Sequence, residues 1–198
     1  MTKVLFLPGS GASPDFRKPV GARLPAAWPK HYFGWPGLGR QPPEPDVGGW
    51  ADLVRMVEAR MDGPVDLVAQ SMGGVIAATL AIKHPQRVRR LVLAVTSGGV
   101  DMTRFGASDW RPDYRKLFPD AAAWITERPA SMALPVERIV APTLLLWGDA
   151  DAISPVAVGR HLADRIAGAR LHVVAGGDHD VARTHATEVA VLIEGHLG

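Results

Sequence analysis

DLVAQSMGGVIAATLAIKHP, residues 66–85, changes character at a single serine. The run into Ser71, "VDLVA", is apolar and β-branched, as suits a strand buried on both faces. The run after it, "GGVIAATLAI", is apolar nearly all round, as suits a helix packed on a sheet. His84-Pro85 ends that helix, because proline disfavours helical backbone in the residue before it. Ala69 and Gly73, two positions either side of Ser71, allow a sharp turn without Cβ clashes. A serine on such a turn stands clear of the sheet with its Oγ exposed. That is the nucleophile-elbow pattern G-x-S-x-G, with Ala69 in place of the first glycine. A plain strand-to-helix turn capped by a serine also fits the stretch, so the rest of the chain decides.

The chain has 198 residues, enough for one domain with a proper core. A net charge of +2 implies no electrostatic partner. The one basic run, Lys83, His84, Arg87, Arg89 and Arg90, reads as a solvated helix end and loop, not a nucleic-acid patch. Cysteine is absent, which excludes disulfides and thiolate metal sites. The opening "MTKVLFLPGSG" is too short an apolar run for a signal peptide, and no run reaches membrane-spanning length. A soluble, cytoplasmic protein with neither nucleic-acid nor membrane partners is expected.

Along the chain, "KVLFLPGSG" reads as a buried strand entering a glycine loop. "PVGARLPAA" suits a short helix opened by Pro19. "HYFGWPGLG" is a second strand and glycine loop, and the prolines at 42, 43 and 45 make a longer loop. Trp50, Leu53, Val54, Val57 and Met61 recur at helical spacing. The strand entering Ser71 is the third and "RRLVLAVTS" the fourth. Residues 98–138 break the alternation, with Trp110, Tyr114, Phe118 and Trp124 scattered among Pro and Asp. "PTLLLWGDADAISP" holds a fifth strand, then Ser154 as helix cap with Pro155 as the first helical residue. "ARLHVVAGGDHD" is a sixth strand and loop, and a final helix carries His185 and His196. Alternating strands and helices with continuously apolar strands predict an α/β fold, a parallel sheet covered on both faces. Ligands then gather at the carboxyl ends of the strands. Ser10, Ser71, Asp149, Asp151, Asp178 and His179 all fall just after strand ends.

A serine hydroxyl needs a base, and the base an orienting acid. Candidates follow Ser71 in the order acid, then histidine. With "LFLPGSG", "WPGLGR", "LVAQSMGGVIA", "HPQRVRRLVL", "PTLLLWGDADAISP" and "GGDHD" in that order, the chain resembles a small α/β-hydrolase of the serine esterase type over nearly its whole length. The resemblance implies a doubly wound six-stranded sheet of order 2-1-3-4-5-6 in one domain, residues 1–198. It implies Ser71 as nucleophile, Asp151 as acid and His179 as base. Gly148, Asp151 and Pro155 match the family's G-x-x-D-x-x-x-P pattern; Asp149 is the competing carboxylate. The oxyanion-hole donors would be the backbone N–H groups of Ser10 and Met72. The family often has His-Gly in the loop where this chain has Pro8-Gly9-Ser10-Gly11, which puts the geometry of that loop in question.

Residues 98–138 stand where a lid is inserted in larger members, and a short lid implies an open or shallow pocket. Trp35, Trp110, Tyr114, Phe118 and Trp124 are the candidate substrate-binding walls, with packing of the lid onto the body as the other reading for each. The expected function is hydrolysis of small acyl or aryl esters through an acyl-enzyme, with a small-molecule ester as partner. No cofactor and no metal are implied, since the histidines show no paired ligand spacing. A carbon–carbon lyase, a cofactor-free perhydrolase or a non-catalytic ligand-binding scaffold would share the same residues.

Overall fold

The computed structural model describes residues 2–127 and 132–198. Six strands form one sheet in the order β2-β1-β3-β4-β5-β6. They are β1 (Lys3–Leu7), β2 (Lys30–Tyr32), β3 (Val65–Gln70), β4 (Val88–Ala94), β5 (Thr143–Gly148) and β6 (Arg170–Val174). Every neighbouring pair is parallel. Strands β3 and β5 are buried along their whole length, as suits mostly apolar central strands of a parallel sheet.

Helix α1 (Lys18–Gly21) links β1 to β2, and α2 (Trp50–Glu58) leads into β3. Helix α3 (Met72–Lys83) follows β3 directly. The 98–138 segment, of which 128–131 lie outside the described residues, carries α4 (Arg111–Leu117) and α5 (Trp124–Glu127). Helix α6 (Val156–Arg165) joins β5 to β6, and α7 (Val181–Thr184) and α8 (Ala186–Leu197) close the chain. Right-handed crossovers fix the layers. The chain steps from β1 to β2 in one direction and from β3 to β4 in the other, so α1 and α3 fall on opposite faces. Helix α8 packs with α1, and α2 packs with α3. The order reverses between β1 and β3, whose last paired residues are Leu7 and Ala69. The loops leaving these two strands, with Ser10 and Ser71, therefore emerge side by side at the switch point.

Local details depart from the sequence reading. Pro155 occupies the cap of α6, and Val156 is the first helical residue. Ser154 does not cap: its Oγ accepts from Trp147 Nε1 at 3.1 Å and donates to Thr96 O at 3.3 Å. A buried indole N–H with no water to reach outcompeted the helix end. His185 sits at the break between α7 and α8. No helix among the described residues is long and apolar enough to cross a membrane.

Candidate active site

Ser71 joins the end of β3 to the first turn of α3 with φ 51° and ψ −121°. Positive φ is rare for a residue with a Cβ and marks stored strain. The turn is held from the loop after β4, where Thr96 Oγ1 donates to Ser71 O at 2.6 Å. Val95, beside it, also has positive φ, 42°, which is a stronger outlier because its side chain is branched.

His179 follows β6 and Asp151 follows β5. Asp151 Oδ2 lies 2.8 Å from His179 Nδ1, and His179 Nε2 lies 3.0 Å from Ser71 Oγ. An ionised carboxylate only accepts, so Nδ1 carries the hydrogen. Nε2 of the neutral ring is then the acceptor, and the serine hydroxyl donates to it. The Asp151 side chain is fully buried. Its other oxygen, Oδ1, accepts from the backbone N–H of Ile153 at 2.8 Å and of Ser154 at 3.0 Å. These bonds fix the carboxylate's direction. Asp149, the competing carboxylate, is exposed and accepts from Gly176 N at 2.7 Å, so it braces the loop. The loops carrying acid and histidine meet backbone to backbone: a Cβ on Gly148 would sit 2.1 Å from Gly177 O. Only glycine allows that approach, and it brings Asp151 within reach of His179.

Gln70, which the sequence reading passed over, donates Nε2–H to His179 O at 2.8 Å. It sits one residue before the elbow serine, so its backbone alternation away from Ser71 was the available signal.

Ser71 stands between two cavities. The larger, about 340 Å³, is lined by the Pro8–Ser13 loop, Gln70, Leu117, Phe118, His179 and Asp180. The smaller, about 30 Å³, is lined by Ser10, Met72, Val95, Ser97, Met102, Trp110 and Ile153. Behind it lies a third, about 130 Å³, which shares Ser97, Met102 and Trp110 with it. Ser10 and Met72, the expected oxyanion donors, thus flank Ser71 in the small cavity. Of the expected aromatic walls, Phe118 and Trp110 line cavities. Trp35, Tyr114 and Trp124 line none of the three. Trp35 is fully buried, with Nε1 donating to Pro8 O at 2.9 Å. Tyr114 is buried and bonded to the loop of Ser10. Trp124 packs against the core.

Residues 4–132 match the family model described as alpha/beta hydrolase fold. The chain is 29% identical to the pimeloyl-[acyl-carrier protein] methyl ester esterase of Neisseria meningitidis, covering 98% of this chain and 94% of that protein. That alignment spans 245 residues, more than the 198 here, so the relative carries residues that this chain lacks. It is also 29% identical to the 2-hydroxymuconate semialdehyde hydrolase of a Pseudomonas species, over 73% of this chain and 66% of that one. Among solved structures, a hydrolase from Pseudomonas aeruginosa PA01 superposes with a TM-score of 0.75 at 20% identity, covering 100% of this chain and 90% of that one. With esterases among its relatives and its six parallel strands in the order given above, the chain belongs to the alpha/beta hydrolase fold family.

Proposed function

We propose that the protein is a carboxylic ester hydrolase for small acyl or aryl esters, with Ser71 as nucleophile, His179 as base and Asp151 as orienting acid. The observation that carries this reading is the unbroken hydrogen-bond chain from Asp151 through His179 to Ser71, which ends at a cavity. Ser71 Oγ attacks the ester carbonyl while its proton passes to Nε2 of His179. The imidazolium is stabilised by the buried Asp151 carboxylate. The carbonyl oxygen, now negative, takes hydrogen bonds from the backbone N–H groups of Ser10 and Met72. Collapse expels the alkoxide, which takes the proton from Nε2. Water, activated by the same nitrogen, then releases the acid from the acyl-enzyme.

The two cavities fit different halves of the substrate. The leaving oxygen must meet Nε2, so the alcohol or phenol portion belongs in the larger cavity, which His179 lines. The acyl portion then belongs in the small one. Its volume supports a preference for short acyl groups. The test is hydrolysis of nitrophenyl esters of graded acyl length by the wild-type protein and by Ser71→Ala. Turnover should be highest for short chains and fall by about 10⁴–10⁶ in the variant. Near wild-type turnover in pure Ser71→Ala would refute the mechanism, and kcat/KM still rising through long chains would refute the acyl assignment.

A further inference from the structure

The loop bearing Ser10 is tied down by two aromatic side chains that line none of these three cavities. Trp35 donates Nε1–H to Pro8 O at 2.9 Å. From α4, Tyr114 donates its hydroxyl to Ser10 O at 3.0 Å and accepts from Gly39 N–H at 2.9 Å. The Pro8 carbonyl belongs to the peptide before Gly9–Ser10, and the Ser10 carbonyl to the peptide after it. Peptide units are planar, so the chain between two pinned units has few dihedrals left to turn. The Gly9–Ser10 unit, which carries the Ser10 N–H, is the one between them.

The third member of this junction is pressed as close. Gly39 has φ +56°, and a Cβ on it would lie 2.1 Å from Gly11 O. The 36–39 loop, α4 and the 8–11 loop thus meet at the Tyr114 hydroxyl. Burial raises the pKa of Tyr114 above its ordinary value of 10.0, so the hydroxyl keeps its proton and remains a donor to Ser10 O.

We propose that Tyr114 is a positioning residue for the oxyanion hole: its hydroxyl, delivered by α4, holds the Gly9–Ser10 peptide so that the Ser10 N–H faces the developing oxyanion. This rests on the reading above that Ser10 supplies one oxyanion donor. The aromatic residue in the 98–138 segment then sets catalytic geometry without touching substrate. The turn also holds this peptide locally, with Ala12 N–H donating to Gly9 O at 3.0 Å; Tyr114 adds the tertiary hold on its Ser10 side.

The experiment is the second-order rate of Ser71 phosphonylation by a fluorophosphonate, which needs no knowledge of the natural substrate. Attack at phosphorus also loads negative charge onto an oxygen facing the hole. Tyr114→Phe keeps the ring packed on Trp110 and Phe118, with centroids 5.5 Å and 5.0 Å away, and removes only the hydroxyl. Deleting an oxyanion donor outright costs about 10²–10³ in rate, so loosening one should cost about 10–100-fold. The same loss should appear in kcat for a nitrophenyl acetate, with KM nearly unchanged, and in the affinity of a boronic acid that forms a tetrahedral adduct. Trp35→Phe, which frees Pro8 O, should lose rate in the same way. Asp113→Asn, on the exposed side of the same helix, should lose none. Phosphonylation and boronic-acid affinity unchanged in folded Tyr114→Phe would overturn the proposal while leaving the esterase reading intact. Wild-type protein that takes up no label on Ser71 would overturn both.

Discussion

Strain at Ser71 gives the first prediction. A non-glycine residue in an unfavourable φ/ψ region costs about 1–3 kcal/mol, and Ser71 sits at φ 51°. Ser71→Gly should therefore melt above Ser71→Ala, even after glycine's extra unfolded-state entropy of about 0.4–1 kcal/mol is subtracted. Equal melting temperatures would show that the strain relieved at the elbow is no larger than that entropy cost. The acid is the second residue-scale question. Asp151→Asn leaves a neutral partner at Nδ1 and should cost about 10⁴ in kcat, as with other serine–histidine–aspartate sites. Asp149→Asn should change kcat little, because that side chain bonds Gly176 and not His179. Greater loss in Asp149→Asn would mean the roles are reversed. Asp151 was singled out by the family's G-x-x-D-x-x-x-P pattern, which the chain matches at Gly148, Asp151 and Pro155, and it is the carboxylate that faces His179. The tasks of Gln70, at the end of β3, and Tyr114, on α4, were not legible in the sequence, because their partners, His179 O and Ser10 O, lie over a hundred residues away along the chain and are set by tertiary packing.

At the scale of elements, the strands were read well and the short helices less so. Continuous apolar runs such as "TLLLW" admit little besides buried strand. The Ser154-Pro155 pair was read as a cap because local chemistry favours it, yet Ser154 serves Trp147 from seven residues away in sequence, a tertiary demand invisible in the local pattern. Two predictions belong here. Gly148→Ala places a Cβ on the backbone of Gly177; parting the loops should cost about 1–3 kcal/mol of stability and lower kcat by lengthening the Asp151–His179 bond. Unchanged stability and kcat would show that the loops yield freely. Trp110→Ala should merge the 30 Å³ cavity with the 130 Å³ cavity behind it. The optimum acyl length should then move to longer chains, with each added methylene worth at most about 0.8 kcal/mol. An unmoved optimum in a chain-length series would place the acyl group elsewhere.

For the whole molecule, the alternation of apolar strand-like runs with helices pointed to a parallel sheet covered on both faces. The strand order came from the resemblance to α/β-hydrolases, and the sheet has that order. What escaped was the site's division into two cavities, which depends on how the 98–138 segment folds back. Stability carries a pH signature of its own. His196 is buried under β4 and β5, with Nε2 bonded to Leu91 O at 3.1 Å and Pro142 O at 3.2 Å. Burial, then Arg90 and Arg170, hold its pKa below 6.5. Burial, then Arg60 and Lys3, lower that of His31 as well. As pH falls through 6.5 the unfolded chain takes up protons that the folded chain refuses, so stability is lost across the window below that value. The melting temperature should drop between about pH 7.5 and about pH 5.5, and His196→Gln, which keeps a donor, should drop less. An identical drop in the variant would remove His196 from the account.

Site-resolved labelling asks whether His179 activates Ser71. The wild-type protein and His179→Ala are treated with a fluorophosphonate, digested and mapped by mass spectrometry. An adduct is expected on Ser71 and on no other serine in the wild type, and almost none in His179→Ala over the same time. An adduct on a different serine, or undiminished labelling of Ser71 without His179, would contradict it.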